Sequence, residues 1–471
     1  MKRRHFLHTV TGGAAVLAAA RTSRSAAAGQ RERPNIVLIV IDDLGYRDVS
    51  FNGGDIPTPA VDRIAREGVN LKRFYACPVC SPTRAGLMTG RWPLRMGIMR
   101  AVIPPWRKWG LPPKEQTLAE RLAGAGYERR AIVGKWHLGH SDRKYHPLNQ
   151  GFTYFYGHYN GAIDYWTHER EGETDWHRNW ETVHEEGYTT DLLADDACRF
   201  LRECPKEKPF LLYLPFNAVH TPLQAPEADI ARFAHVKDKR RRIYSAMVAA
   251  MDRAVGKVLD ALDARGLSEN TFVLFFADNG GVAQFSDNGP LRAGKATVYE
   301  GGIRVCAAAR WPAGGIAGGK TVDGLMGYID VHPTVKRLAG LADAPDPNPL
   351  DGVDVLDVMR GTAEAPQRPW FSYIQQGGPT ERLSVIDRPY KLVVHGPGIL
   401  SENARETSKA ELFNLAEDPR EQTDISGKHP DLVHRLWKAL RTFRTWKIDG
   451  VPEYGEGRKG FKAPKDWIIP E

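Results

Sequence analysis

Cys80 opens the run Cys80-Ser81-Pro82-Thr83-Arg84-Ala85-Gly86-Leu87-Met88-Thr89, which continues into Gly90-Arg91. The cysteine stands directly before what reads as a helix start: Ser81 suits a cap, Pro82 the first helical position, and Arg84 the first turn. A group at position 80 would then face the positive end of a helix beside a guanidinium, where an oxyanion is best held. Cys77-Pro78-Val79-Cys80 also has the spacing of a thioredoxin-like C-x-x-C pair, the blander alternative.

Two acid clusters follow apolar runs. Asn35-Ile36-Val37-Leu38-Ile39-Val40-Ile41 stops at Asp42-Asp43, and Thr271-Phe272-Val273-Leu274-Phe275-Phe276-Ala277 stops at Asp278-Asn279-Gly280-Gly281. Such β-branched runs read as buried strands of a parallel sheet. Open α/β sheets bind ligands at the carboxyl ends of their strands, so both clusters are expected at one site. Adjacent carboxylates repel unless a cation lies between them. Three carboxylates and an amide form an all-oxygen set that suits Ca²⁺ or Mg²⁺ rather than zinc. Taken singly, each cluster also fits an Asp-Gly or Asn-Gly turn.

Two more strands deliver cationic groups. Arg129–Val133 runs into Gly134-Lys135-Trp136-His137-Leu138-Gly139, and Pro209–Phe216 runs into Asn217-Ala218-Val219-His220-Thr221-Pro222. Further on, Pro290-Leu291-Arg292-Ala293-Gly294-Lys295 precedes Tyr299-Glu300-Gly301-Gly302-Ile303-Arg304. A lysine such as Lys295 is by default a solvated surface charge.

Strand and helix signals alternate from Pro34 to about Gly340, with helical patterns at Thr58–Gly68, Glu115–Gly124, Thr189–Glu203, Arg240–Arg265 and His332–Leu341. This alternation predicts an α/β fold with a large, mostly parallel sheet flanked by helices. Ala344–Pro349 reads as a Pro-rich loop and Thr362–Gln367 as a domain joint. Beyond it, Leu383–Ile386 and Tyr390–Val394 read as a hairpin, Glu411–Leu415 as a further strand and Asp431–Trp446 as an amphipathic helix. The expected division is an export signal at 1–28, a catalytic α/β domain at 29–365 and a small antiparallel C-terminal subdomain at 366–471.

Taken together, Cys80-x-Pro82-x-Arg84 with Thr89-Gly90-Arg91, the G-K-W-H-x-G run at Lys135 and His137, the H-x-P run at His220, and the loop at Lys295 resemble the motifs of the sulfatase family. The stretch Glu411-Leu412-Phe413-Asn414-Leu415, followed by Asp418-Pro419-Arg420-Glu421, extends the likeness to nearly everything after the export signal. The resemblance implies that Cys80 is oxidised to formylglycine, whose hydrate attacks sulfur. It implies a divalent cation, Ca²⁺ in preference to Mg²⁺, held by Asp42, Asp43, Asp278 and Asn279 with position 80. It further implies that Arg84 and Lys135 hold the hydrate, that His137 is the base for its second hydroxyl, and that His220 and Lys295 hold the sulfate. Which of the last two protonates the leaving oxygen stays open.

Sulfate ester cleavage asks for these types of group. Negative charge falls on three spectator oxygens and on the departing alcohol, so cations and a proton donor are needed. A phosphodiester or phosphonate hydrolase on the same scaffold is the nearest alternative, and a non-catalytic glycan-binding relative the next. The aromatics Tyr154, Tyr156, Tyr159, Tyr165, Trp166, Trp176 and Trp180, with His158, His168 and His177, would suit sugar rings, or would pack their own loop. Asp164–Arg170 and Val219–Pro226 resemble the N-acetylgalactosamine-4-sulfatase branch, which implies a sulfated carbohydrate without fixing the sugar.

Lys2-Arg3-Arg4 ahead of the short apolar stretch Ala14–Ala20 and Ala26-Ala27-Ala28 has the layout of a twin-arginine export signal. The stretch is too short to span a bilayer, so a periplasmic or secreted protein without an anchor is expected. Cutting after Ala28 removes five basic residues and no acidic one, which takes the formal charge from +8 to +3. That leaves no argument for nucleic acid binding. The basic run Lys237–Arg242 reads first as a solvated helix start and second as a contact for an acidic polysaccharide. With Cys80 converted, Cys77, Cys198, Cys204 and Cys306 allow up to two disulfides or four buried thiols. The expected partners are a sulfated small molecule or oligosaccharide and, during maturation, a formylglycine-generating enzyme.

Overall fold

The computed structural model describes residues 33–375 and 379–470. The expected export signal lies outside them. Pro34–Glu471 form one compact unit.

The strands of the main sheet are β1 (Asn35–Ile41), β2 (Val69–Leu71), β3 (Arg129–Lys135), β4 (Tyr154–His158), β5 (His177–Arg178), β6 (Glu181–Thr182), β7 (Phe210–Phe216), β8 (Thr271–Ala277), β9 (Ala307–Arg310) and β10 (Lys320–Val322). Their spatial order is β10-β2-β9-β8-β1-β7-β3-β4-β5-β6. The central strands β8, β1, β7, β3 and β4 run parallel, and β9 and β5 flank them antiparallel. β1, β7 and β8 are buried along their whole length. Sheltered on both faces, they need apolar side chains at every position rather than at alternate ones. Each such side chain contributes roughly 1.5–3 kcal/mol.

The helices include α1 (Pro59–Glu67), α2 (Cys80–Thr89), α3 (Leu118–Ala123), α4 (Thr189–Glu203), α5 (Lys239–Ala264), α6 (Val331–Leu338) and α7 (Pro430–Arg444). α1 and α4 pack on α5, whereas α2 packs on α3 and α6. The basic run opens α5, as its composition suggests, with the Asp238 side chain accepting from Arg241 N. α3 is shorter than its pattern, because the Thr117–Glu120 capping box fixes its start at Leu118.

A second sheet, β11 (Trp370–Ile374), β12 (Glu381–Asp387), β13 (Tyr390–Gly396) and β14 (Lys409–Asn414), is antiparallel throughout. It contains the expected hairpin. A fully buried ion cluster joins it to the loop that carries Lys295. Lys391 on β13 lies 3.0 Å from Glu300 and 2.7 Å from Glu421. The five cysteines are all free and buried, which is the thiol alternative and not the disulfide one. Among the described residues no helix is long and apolar enough to cross a membrane.

Candidate active site

Sheet register assembles the acid clusters. Ile41 stands opposite Phe216 of β7 and Ala277 of β8, so the next residue of each strand emerges at the same edge. Backbone bonds continue one step further: Asp42 N donates to Ala218 O, Val219 N to Asp42 O, and Asp278 N to Ile41 O, each at 2.8–2.9 Å. Asp42, Asp43, Asp278 and Asn279 are all buried there. Asp43 and His137 hold left-handed backbone conformations, φ 62° and 57°, uncommon for residues with a Cβ.

α2 delivers Cys80 to this edge and starts two residues earlier than the sequence suggests. Val79 is the N-cap residue and makes no side-chain cap bond, so Cys80 is the first helical residue. Ser81 does not cap; its Oγ accepts from Ile103 N at 3.0 Å. Packing has overridden the capping preference, since Ser81 helps pin the neighbouring loop. Thr83 ties the helix to β8 through its hydroxyl, 2.6 Å from Asp278 O. Gly86 lets α2 lie close to Tyr328, whose ring a Cβ would meet at 2.1 Å.

Every site residue named from sequence lies in this cluster. Cys80 Sγ is 3.3 Å from Asp42 Oδ1 and 3.8 Å from Lys295 Nζ. Lys295 also reaches Asp43 at 2.5 Å and 2.7 Å, and Lys135 Nζ pairs with Asp42. Arg84 donates from Nε and Nη2 to Asp278 Oδ2, at 3.0 Å and 2.7 Å, and from Nη1 to Lys135 O at 2.9 Å. Asn279 Nδ2 donates to Asp43 Oδ1 at 2.8 Å, and His220 Nε2 lies 3.6 Å from Asp43 Oδ2. Cys80, His137, His220 and Lys295 line a cavity of about 480 Å³ over the acids.

The electrostatics are those of a site short of positive charge at one point. Burial pushes the Asp42 carboxyl up, but Lys135, His220, Arg84 and Lys295 outweigh it and hold it well below the usual carboxylate range. Asp278 is pushed up to about 6 by burial and by the charge of Asp42, despite Arg84 beside it. Its Oδ1 and the Asn279 Oδ1 are buried without a hydrogen-bond partner. Ligand atoms of Asp42, Asp43, Cys80 and His220 lie within 4.8 Å of one another. Undercompensated oxygens with unsatisfied lone pairs fit a hard divalent cation.

Burial, and then the Asp42 charge, push the Cys80 thiol up. His137 is driven well below its usual range by burial and by Lys135 and Arg84. Its neutral ring meets Ile103 O through Nε2 at 3.0 Å, which assigns the proton to Nε2 and leaves Nδ1 buried as an unpartnered acceptor. That is the form a general base takes.

Of the two roles expected for the aromatic segment, the structure shows packing. Tyr156, Tyr159, Tyr165 and Trp176 are buried, as are His158, His168 and His177. Of this segment the cavity takes Gly161, Ala162 and Arg170, and none of the seven aromatics. The rings fill the ground between β4 and the strands beyond it, with Tyr156 on Trp176 at 5.0 Å and Tyr159 on His177 at 4.1 Å. Tyr165 holds the His220 loop, its hydroxyl donating to Asn217 O and His220 O at 2.8 Å. Only Trp166 and Trp180 are exposed, and His146 and Arg143 cover Trp180.

Sequence reasoning missed Ile103, Gly161 and Tyr454. Their parts rest on a carbonyl, a missing Cβ and a distant turn of chain, none of which carries a spacing signal.

Comparison with known proteins places this site in a family. The family model described as Sulfatase matches residues 34–341. The N-acetylgalactosamine-6-sulfatase of Mus musculus is 36% identical over 91% of this chain and 89% of its own length. Arylsulfatase A of Homo sapiens is 35% identical over 90% and 89%. Among solved structures, Ps i-CgsB in complex with k-i-k-neocarrahexaose superposes with a TM-score of 0.82 at 31% identity, covering 91% of this chain and 96% of the other. The phosphonate monoester hydrolase of Agrobacterium radiobacter shares the fold, with a TM-score of 0.63 at 20% identity. The chain belongs to the sulfatase family and is a sulfuric ester hydrolase.

Proposed function

We propose that this protein hydrolyses sulfate esters of carbohydrates, using formylglycine made from Cys80 and a divalent cation. The observation that carries the reading is the placement of Cys80: in the first turn of α2, lining the cavity, 3.3 Å from Asp42 and 3.8 Å from the Lys295 ammonium. An encoded cysteine attacking from there would be left as a sulfated thiol with no easy exit, whereas an aldehyde hydrate carries a second hydroxyl that can expel the sulfate. Converted to formylglycine, position 80 supplies, as its hydrate, one hydroxyl to attack sulfur and a second whose deprotonation expels sulfate. Asp42, Asp43, Asp278 and Asn279 would hold the cation, Ca²⁺ in preference to Mg²⁺, which supplies positive charge against the sulfate.

The chain's own residues do the rest. Lys295 and His220 border the space above Cys80 and would hold the sulfate oxygens and the leaving oxygen. His137 Nδ1 would accept the proton of the second hydroxyl. Arg84 ties α2 to β8 and the end of β3, so it would position residue 80 as well as offset Asp278. A carbohydrate substrate is supported by relatives named for N-acetylgalactosamine 6-sulfate and by the oligosaccharide bound to Ps i-CgsB. Residues 1–28 as an export signal, 29–365 as the catalytic domain and 366–471 as a C-terminal subdomain complete the reading. A formylglycine-generating enzyme would be the maturation partner.

Mass spectrometry and turnover test it together. In active enzyme the Cys80 peptide should be lighter than encoded, resist alkylation and react with hydrazides. Chelation should abolish sulfate release, and Ca²⁺ should restore it. Fully active protein with an alkylatable thiol at Cys80 would refute the formylglycine step. Sulfate release from 4-nitrophenyl sulfate alone, with all sulfated sugars untouched, would refute the carbohydrate substrate.

A further inference from the structure

A second cavity of about 590 Å³, within the usual size of a ligand site, opens beside the catalytic one. Its walls come from the loop Pro105–Trp109, from His140 and Ser141, and from the tail between Pro452 and Pro470. Pro105 lines both cavities. Two hydrogen bonds tie their walls together. Trp106 Nε1 donates to the carbonyl of Tyr454, and Trp467 Nε1 to the carbonyl of Arg170, each at 2.9 Å. Tyr454 and Arg170 line the catalytic cavity, whereas Trp106 and Trp467 line the second.

The second cavity has two kinds of surface. Trp106, Trp109, Phe461 and Trp467 supply aromatic walls. Cations crowd the same stretches of chain: Lys108 in the loop, and Arg458, Lys459, Lys462 and Lys465 in the tail, all exposed. Glu453, Glu456 and Asp466 are the acids among them, so the stretches that rim the cavity are still net positive. The Arg458 guanidinium stands 5.1 Å from the Trp106 ring centre. Sugar rings present apolar C–H faces to aromatic walls, and their sulfates or carboxylates seek cations at the rim. An uncharged apolar partner would gain nothing from this rim, and a simple anion nothing from these walls.

We propose that this cavity is a second carbohydrate subsite, taking an anionic sugar unit of the oligosaccharide whose sulfate ester lies above Cys80. The inference rests on the carbohydrate reading above. It makes the enzyme a reader of chain length as well as of the scissile sulfate, because a monosaccharide cannot fill both cavities.

The test compares a chondroitin 6-sulfate hexasaccharide and an ι-carrageenan hexasaccharide with their disaccharides and with 4-nitrophenyl sulfate, which is too short to reach the second cavity. The variants are the exposed double charge reversal Lys108→Glu/Lys462→Glu and, separately, Trp109→Ala. The double reversal should raise KM about tenfold on the hexasaccharide that wild type prefers, while kcat/KM on the aryl ester changes less than twofold. Calorimetric titration of hexasaccharide into Cys80→Ala protein, with and without the double reversal, should show the same loss without requiring turnover. Should Trp109→Ala fail to fold, the lysine pair still carries the test. Hexasaccharides bound and cleaved equally well by wild type and variants would overturn this inference alone. If neither wild type nor Cys80→Ala protein engages any sulfated oligosaccharide, the carbohydrate reading falls and the subsite with it.

Discussion

Replacing Lys391 by methionine removes the one ammonium that separates two buried carboxylates. In the native structure Glu300 also accepts from Tyr75 OH at 2.9 Å, and Glu421 Oε2 accepts from Glu300 N at 2.7 Å. All three side chains are at most 1% exposed, so water cannot replace the lysine. Arg304, 3.8 Å from Glu300, is too distant to serve both acids. Breaking a buried pair from one side costs about 3–5 kcal/mol. Unfolding entropy of ~2.1 cal/mol/K per residue over roughly 440 residues makes that a fall in Tm of about 3–5 °C. Glu421→Gln should behave differently, because Lys391 then keeps Glu300 as partner and the amide still accepts from Glu300 N. Its cost should stay near 1 kcal/mol. The acids left by Lys391→Met are raised above their unfolded values, so their protonated forms favour the fold. The deficit should therefore be largest near pH 7 and shrink as pH falls toward 5. Urea titration at both pH values, with calorimetric Tm, measures this. A Lys391→Met protein within 1 kcal/mol of wild type at pH 7, or no worse than Glu421→Gln, would refute the claim that the lysine holds two uncompensated acids apart.

Two further outcomes follow from single positions. A Cβ at Gly161 would lie 2.5 Å from the His137 ring, so Gly161→Ala should displace the base and lower kcat on 4-nitrophenyl sulfate by about 10–100-fold, with only 1–3 kcal/mol lost in stability; a kcat within twofold of wild type removes His137 from the mechanism. Burial pushes Asp252 up to about 6 although it accepts from Ala60 N and Val61 N at the start of α1, so the stability it lends is full below pH 4 and lost as pH rises through 6. That amounts to about 2–3 kcal/mol; Asp252→Asn should cancel this slope, and a wild-type-minus-variant difference that stays flat from pH 4 to 7 would contradict the shift.

Much of the catalytic edge could be read from sequence because its signals are local. β1 and β8 match their apolar runs residue for residue, since a strand buried on both faces permits no polar interruption until it leaves the sheet. Asp42 and Asp278 mark those exits. α4 likewise runs over the expected Thr189–Glu203. The resemblance then supplied roles for Cys80, Arg84, Lys135, His137, His220 and Lys295, which a bare spacing could only have suggested.

What local pattern could not decide was how each side chain would be used, because competing partners come from distant parts of the chain. Tyr165 and Trp166 are neighbours of similar type, yet one is buried holding the His220 loop and the other is exposed. Ser81 could cap α2 or bond Ile103, and the folded loop selects the second. Lys391 meets Glu300 across 91 positions and Trp106 meets Tyr454 across 348. Composition sets which residues can be buried or charged, but only the tertiary fold brings such partners within hydrogen-bond reach. The state of the Cys80 thiol, the free lone pair on His137 and the second cavity beside the first all depend on that closure.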